Sequence, residues 1–210
     1  MNKLFIEAEK EATAECSFLK ALIARHFPNA DIEFVTMGGV ANLFNESNLN
    51  QIRIAGDEAD NVIVLLDADT EAKGWGYAKR HADVTNMMKK NNLSFPLFLY
   101  PNNHDDGDVE ELMEAVVRKE LHPRWWNCFD DYEKCVQGSV DAEGHQLYNI
   151  PNRKAKLHTF ISSQRLSAKS RKRLGRGDWL FSDSQFWNLE SPALRPLLDF
   201  LKEHVSSRPQ

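Results

Sequence analysis

The chain has 210 residues, of which 42% are hydrophobic and 27% charged, so it can bury a sizeable core. This composition excludes a disordered chain, a collagen-like fibre and a small disulfide-bonded scaffold. Because the net charge is −5, the protein as a whole does not attract nucleic acid or membranes, and a polyanion site would need a local basic patch or bound metal ions. Three cysteines without a Cys-x-x-Cys pair predict a cytoplasmic protein, and the lack of a membrane-length apolar run predicts no membrane partner.

The first half of the chain alternates short apolar strands with amphipathic helices. Strands are predicted over residues 4–6, 32–35, 62–66 and 95–100. Helices are predicted over residues 11–26, within 40–53, around 74–91 and after the capping box that begins at Asp108. The unbroken apolar run 62–66 is typical of a strand covered on both faces. We therefore expect an α/β fold with a mainly parallel four-stranded sheet flanked by helices.

The pattern changes near residue 120. Helices are predicted over 122–137, over 154–164 and from Ser191-Pro192 onward, with a loop over 138–153. Residues 165–176 carry six Lys or Arg side chains and no acid, which indicates either a solvated loop or a surface that steers a nucleic-acid backbone. We expect one domain over residues 1–210, with a core of about 1–120 and a C-terminal helical extension of about 121–210.

Acidic residues follow three of the predicted strands. Glu7 follows the first strand, Asp67 and Asp69 follow the third, and an acidic segment at 105–111 follows the fourth. Because the carboxyl ends of parallel strands share one edge, these acids should converge on one crevice. If the third strand continues through Asp69, the side chains of Asp67 and Asp69 point the same way. Mg²⁺ or Mn²⁺ would relieve their repulsion, whereas a solvated strand-end turn is the structural alternative.

Other polar features leave two interpretations open. Gly38-Gly39 either lets the backbone approach a phosphate or simply makes a turn. Lys154 and Lys156 either face a phosphate in the crevice or are solvated.

The ordered set of motifs resembles the Toprim pattern, found in topoisomerases, primases and the OLD-family nucleases. It comprises an apolar strand that ends in Glu, a helix, a Gly-Gly turn with Asn42-Leu43, and an apolar strand that ends in D-x-D. The chain most resembles the small stand-alone Toprim-like proteins of prokaryotes that are related to the OLD nuclease domain. Further similar segments lie at residues 100–110, 129–132 and 154–156 and in the C-terminal helix.

The resemblance implies a Toprim-like Rossmannoid fold and a Mg²⁺-dependent nuclease, or a related phosphoryl-transfer enzyme, that acts on DNA or RNA. Glu7 would be the general acid/base or a metal ligand, and Asp67 and Asp69 would be magnesium ligands. Glu110 would be a further acidic ligand, and Lys154 or Lys156 would contact phosphate. A protein partner or a second copy of the chain is also compatible with the resemblance.

The first motif departs from the family pattern. The family has E-G-x-x-D there, whereas this chain has Glu7-Ala8-Glu9-Lys10-Glu11, and a second alignment puts Glu15 at the Asp position. The departure leaves open a non-catalytic Toprim-like module that binds nucleic acid or a partner in a defence or repair system. A haloacid-dehalogenase-like phosphatase is a third hypothesis, although in its D-x-D-x-[TV] motif Thr70 comes one position early.

Overall fold

A computed structural model describes residues 1–58 and 60–205, and one parallel four-stranded sheet organises it. The strands are β1 (Asn2–Ile6), β2 (Ile32–Thr36), β3 (Asn61–Asp67) and β4 (Leu97–Tyr100). Their order in the sheet is β2-β1-β3-β4, and each neighbouring pair is parallel. The predicted fold class, a mainly parallel four-stranded sheet flanked by helices with a helical C-terminal part, is confirmed.

Helices cover both faces of the sheet. They are α1 (Ala14–His26), α2 (Glu46–Asp57), α3 (Tyr77–Lys90), α4 (Val109–Ala115), α5 (Pro123–Gln137), α6 (Arg153–Ser162), α7 (Ala168–Leu174) and α8 (Arg195–His204). One hydrophobic cluster joins a sheet face to side chains of α1, α4, α5, α6, α7 and α8, and a second joins the opposite face to side chains of α2 and α3. The sheet is therefore the middle layer of three.

The apolar run in β3 serves both clusters. Ile63 and Leu65 belong to the cluster with α1, whereas Val64 and Leu66 belong to the cluster with α2 and α3. Since successive strand residues point to opposite faces, a strand between two helical layers needs apolar residues at every position. This arrangement explains why the run has no polar interruption.

The C-terminal region shares the first hydrophobic cluster with the sheet. Phe160, Trp187 and Leu201 are buried in the same cluster as Leu4 of β1. The predicted helix at Ser191-Pro192 is instead a 3₁₀ turn over Pro192–Leu194, and α8 begins after it. A second proline, Pro196, has no N–H to donate back along a continuous helix, so the α-helical bonding starts later than the sequence pattern predicts.

None of the helices in residues 1–58 and 60–205 is both long enough and apolar enough to cross a membrane.

Candidate active site

Four carboxyl groups from separate segments meet where the parallel strands end. We call this side of the sheet the carboxyl edge. Glu7 follows β1, Asp67 is the last residue of β3, and the other two groups lie in the first turns of α1 and α4. The charges of Glu7 and Glu110 raise the pKa values of both Glu15 and Asp67, and the charge of Glu15 adds to the rise at Asp67. The carboxylate cluster, as we name it, consists of Glu7, Glu15, Asp67 and Glu110.

Glu7 is held in place by two backbone donors. The amide of Asp67, sixty residues away in the chain, donates to Glu7 Oε2 at 3.3 Å, and the amide of Val40 also donates to this carboxylate. Burial raises the pKa of Glu7, and the nearby charge of Asp69 adds to the rise. Glu7 therefore binds a proton more readily than an exposed glutamate.

The Gly38-Gly39 turn shapes the backbone beside Glu7. Both glycines have positive φ, 70° and 112°, and their amides donate to the carbonyls of Ala8 and Glu7 at 3.0 and 2.8 Å. These two amides are thus used within the fold. Of the two interpretations, the turn that positions the chain near Glu7 is the one these contacts favour.

Asp67 is the member of the cluster at the end of β3. Burial, followed by the charges of Glu7 and Glu15, raises its pKa well above the usual range. Its Oδ1 accepts a hydrogen bond from the amide of Val109 at 2.8 Å, which attaches the end of β3 to the start of α4. The third strand thereby brings one carboxyl group into contact with both neighbouring segments.

Glu15 lies in the first turn of α1, after the N-cap residue Thr13. Its side chain is only 8% exposed, and its Oε1 has no hydrogen-bond partner within the described residues. The pKa of Glu15 is raised to about 8. Burial is the largest cause of this rise, and the charges of Glu7 and Glu110 add to it. Sequence reasoning offered Glu15 only through the second alignment of the first motif, and helix α1 brings this residue into the cluster.

Glu110 and Lys154 form an ion pair beside the cluster. Lys154 Nζ lies 2.8 Å from Glu110 Oε1. Burial works against the charge of Lys154, but the ion pair with Glu110 and the charge of Asp67 outweigh it and raise the lysine pKa. Lys154 therefore supplies a positive charge beside the cluster and pairs with one of its four members.

Asp69 does not share the orientation of Asp67. Strand β3 ends at Asp67, and Asp69 has a φ of 58°. Its carboxylate accepts hydrogen bonds from Arg80 at 2.6 Å and from Lys73 at 2.9 Å. The condition that the strand continues through the D-x-D motif is not met, so the two aspartates have different partners.

Arg80 was not among the sequence-predicted site residues. Its side chain is buried on α3, four residues before the buried Val84, and its charge lowers the pKa of Glu7. The sequence signal that could have identified Arg80 is its position on the apolar face of a predicted helix, because a buried cation needs a charged or polar partner.

The family of the chain follows from its whole length. The sequence pattern of the family described as "Protein of unknown function (DUF3226)" matches residues 2–206, from the start of β1 to beyond the end of α8. The chain belongs to the DUF3226 family. No curated protein and no solved structure matches it. All four members of the carboxylate cluster lie within the matched residues, so the cluster is part of the DUF3226 region of the chain.

The other polar residues predicted for this edge have structural contacts in the DUF3226 chain. Lys156 binds Asp130 and Glu133 of α5, at 3.0 and 2.8 Å. In the acidic segment, Asp106 accepts hydrogen bonds from the amides of Glu71, before α3, and Tyr77, at the start of α3, and Asp108 caps α4. Within this segment, Glu110 is the member that reaches the cluster.

The donor chemistry of the cluster suits a divalent cation. Carboxylate oxygens are the ligands that Mg²⁺ and Mn²⁺ prefer, and Glu15 Oε1 is a buried oxygen without a partner in the described chain. In the conformation seen, however, no group of three or more His, Cys, Asp or Glu side chains in residues 1–58 and 60–205 is arranged to hold a metal ion. Ion pairs to Lys154, Arg80 and Lys73 occupy Glu110 and Asp69.

Proposed function

We propose that this DUF3226 chain is a Mg²⁺- or Mn²⁺-dependent nuclease, or a related phosphoryl-transfer enzyme, that acts on nucleic acid at the carboxylate cluster. The observation that carries the proposal is the direct contact between Glu7 and the end of β3. Acids far apart in the sequence thereby meet at the edge where parallel α/β sheets bind ligands. The Toprim-like resemblance of the sequence agrees with this position, and we propose that relationship as well.

Each residue has a role in the proposed site. Asp67 and Glu15 would hold the ion, with Glu110 released from Lys154 to complete the ligand set and Asp69 at the border. Bound metal would activate water and neutralise charge on the scissile phosphate. Glu7 would accept or donate the proton that moves in the reaction, since burial raises its pKa above that of an exposed glutamate.

Lys154 completes the site on the ligand side. Once Glu110 is released, the ammonium group of Lys154 is free to pair with a phosphate oxygen, where it stabilises developing negative charge. We also propose a cytoplasmic location, which the free thiols of the three cysteines support.

The test combines metal binding with cleavage. Titration calorimetry with MnCl₂ should detect binding at millimolar concentration or below, and labelled single-stranded DNA, duplex DNA and RNA should be cut only when metal is present. Asp67→Asn should abolish both, because it removes a central carboxylate. Asp83→Asn, the same substitution at an exposed position of α3, is the matched control and should change neither. Equal cleavage by the wild-type protein and Asp67→Asn would defeat the proposal.

A second candidate function is a non-catalytic module that binds nucleic acid or a partner protein. The ion pairs of Asp69 and Glu110, and the lack of a three-ligand group in the described residues, favour it. The same titration separates the two functions. Absence of Mn²⁺ binding at millimolar concentration, together with absence of cleavage, selects the non-catalytic module.

A further inference from the structure

The most concentrated positive charge of the molecule lies outside the carboxylate cluster. Residues 165–176, which we call the cationic segment, contain no acid and include helix α7. Its basic residues, all exposed, are Arg165, Lys169, Arg171, Lys172, Arg173 and Arg176. Arg173 pairs with Asp178 at 2.7 Å, and the other five have no carboxylate partner within the described residues.

This lack of partners distinguishes the segment from its neighbours. In the preceding helix α6, the basic side chains of Arg153, Lys154 and Lys156 each pair with at least one carboxylate. The chain as a whole carries a net charge of −5. An exposed group of unpaired cations on an acidic protein creates a local attraction for polyanions that the global charge does not supply.

The cationic segment ends against the loop that carries the site. Gly177 has a φ of 84°, and a Cβ built on it would lie 2.3 Å from the carbonyl oxygen of Ala12. Ser17 of α1 also donates to Asp178 Oδ1 at 3.2 Å. Ala12 lies between Glu7 and Glu15 in sequence, so the segment is fixed beside the two turns that deliver these carboxyl groups to the cluster.

We propose that the cationic segment binds the phosphate backbone of a nucleic-acid strand and directs that strand toward the carboxylate cluster. The choice of nucleic acid as the polyanion rests on the proposed function. Helix α7 has seven residues, a length of about 10 Å, which is comparable with the axial rise of roughly three nucleotides along one strand of a duplex. A membrane surface fits less well, because Leu174, the large apolar residue of α7, is buried and leaves nothing to insert into lipid.

The experiment compares two fourfold variants of the full chain. The segment variant replaces Arg165, Lys169, Arg171 and Lys172 with Gln. It leaves Arg173, which pairs with Asp178, unchanged. The matched control makes the same charge change at four exposed cations in the C-terminal halves of α2, α3 and α8: Arg53, Lys89, Lys90 and Lys202. These positions lie toward the opposite edge, where a cleft joins Arg53 and Glu203 to the start of β3 at Asn61.

Binding is measured by fluorescence anisotropy with labelled single-stranded DNA, RNA and duplex DNA, in EDTA so that catalysis does not contribute. The segment variant should bind about 100-fold or more weakly at roughly 0.1 M salt. Its slope of log K against log salt should be smaller by about 3, since each of the four lost phosphate contacts contributes about 0.7–0.9 to that slope. The control should bind within about twofold of the wild type. Unchanged thermal midpoints of both variants show that the fold is intact.

Several results would overturn the inference. The first is an equal weakening of nucleic-acid binding in both variants, and the second is unchanged nucleic-acid binding in the segment variant. The third is a segment variant that keeps nucleic-acid binding but no longer binds phosphatidylserine vesicles or an acidic polypeptide. Segment-dependent binding without metal-dependent cleavage would keep this inference and reject the proposed enzyme. Cleavage that Asp67→Asn abolishes and the segment variant leaves unchanged would reject this inference and keep the proposed enzyme.

Discussion

Replacing Glu15 by Gln should stabilise the protein at neutral pH. The carboxyl group is 8% exposed, and its pKa rises from 4.5 to about 8 in the folded state. Between these two values the folded chain holds a proton that the unfolded chain has released, so stability falls as pH increases from about 4.5 to about 8. Gln carries no charge at any pH and removes this loss.

The magnitude follows from the distance between the working pH and the unfolded pKa. At pH 7 the folded state loses up to about 3 kcal/mol to Glu15, at roughly 1.4 kcal/mol for each pH unit. For a chain of this size, Glu15→Gln should therefore raise the thermal midpoint by about 6–12 °C at pH 7. Near pH 4.5 the variant and the wild type should differ by only about 0.4 kcal/mol, because Glu15 is then protonated in the folded chain and half protonated in the unfolded chain.

Urea unfolding followed by tryptophan fluorescence, from pH 4.5 to 8.5 in EDTA, measures both the size and the slope of the effect. Trp126, Trp179 and Trp187 are buried and report on the packed state. Glu11→Gln is the control, since Glu11 is exposed and pairs with Lys20 on the surface, and its effect should stay within about 1 kcal/mol at every pH. A Glu15→Gln protein with wild-type stability and wild-type pH slope at pH 7 would refute the reasoning.

Two further predictions concern backbone strain and the partner of Asp69. Gly177→Ala should lower the free energy of unfolding in urea by at least about 3 kcal/mol, because it combines an unfavourable φ with a clash against the backbone. Gly144 has a similar φ but open space around it, so Gly144→Ala should cost about 1 kcal/mol. Arg80→Met should lower the free energy of unfolding by roughly 3 kcal/mol, because it leaves the Asp69 carboxylate without its buried partner. Lys73→Met removes the exposed partner of Asp69 and should cost less than about 1 kcal/mol. Equal losses within either pair of variants would contradict the structural explanation.

Local pattern was sufficient to predict the sheet. The apolar runs and the capping box at Asp108 are short-range signals, and β1, β3 and α4 form where they predict. The convergence of acids also followed from topology, because parallel strands place their carboxyl ends at one edge. Glu7 and Asp67 accordingly lie in contact.

The orientation of individual side chains depends on contacts that pattern does not reveal. Asp69 leaves the strand direction at a positive φ, and its amide and carbonyl pair with Gly107, a residue 38 positions later. Its carboxylate then meets Arg80 on α3, a helix that the sequence predicts only approximately, around residues 74–91. A two-residue spacing defines a common direction only within a regular strand, so the D-x-D motif alone did not determine the ligand set.

The charge of the carboxylate cluster needs a counterion, and three species compete for that role. Protons compete for Glu15 and Asp67, since burial and repulsion within the cluster raise the pKa of both carboxyl groups, and Lys154 neutralises Glu110. A divalent ion would have to displace both, so its binding must release protons and tighten as pH rises. The Glu15→Gln protein lacks one of the carboxylates that would bind the ion. It should therefore bind Mn²⁺ more weakly than the wild type, although it is more stable. A variant that is more stable and yet binds Mn²⁺ as tightly as the wild type would show that Glu15 acts in the fold as a buried acid and takes no part in metal binding.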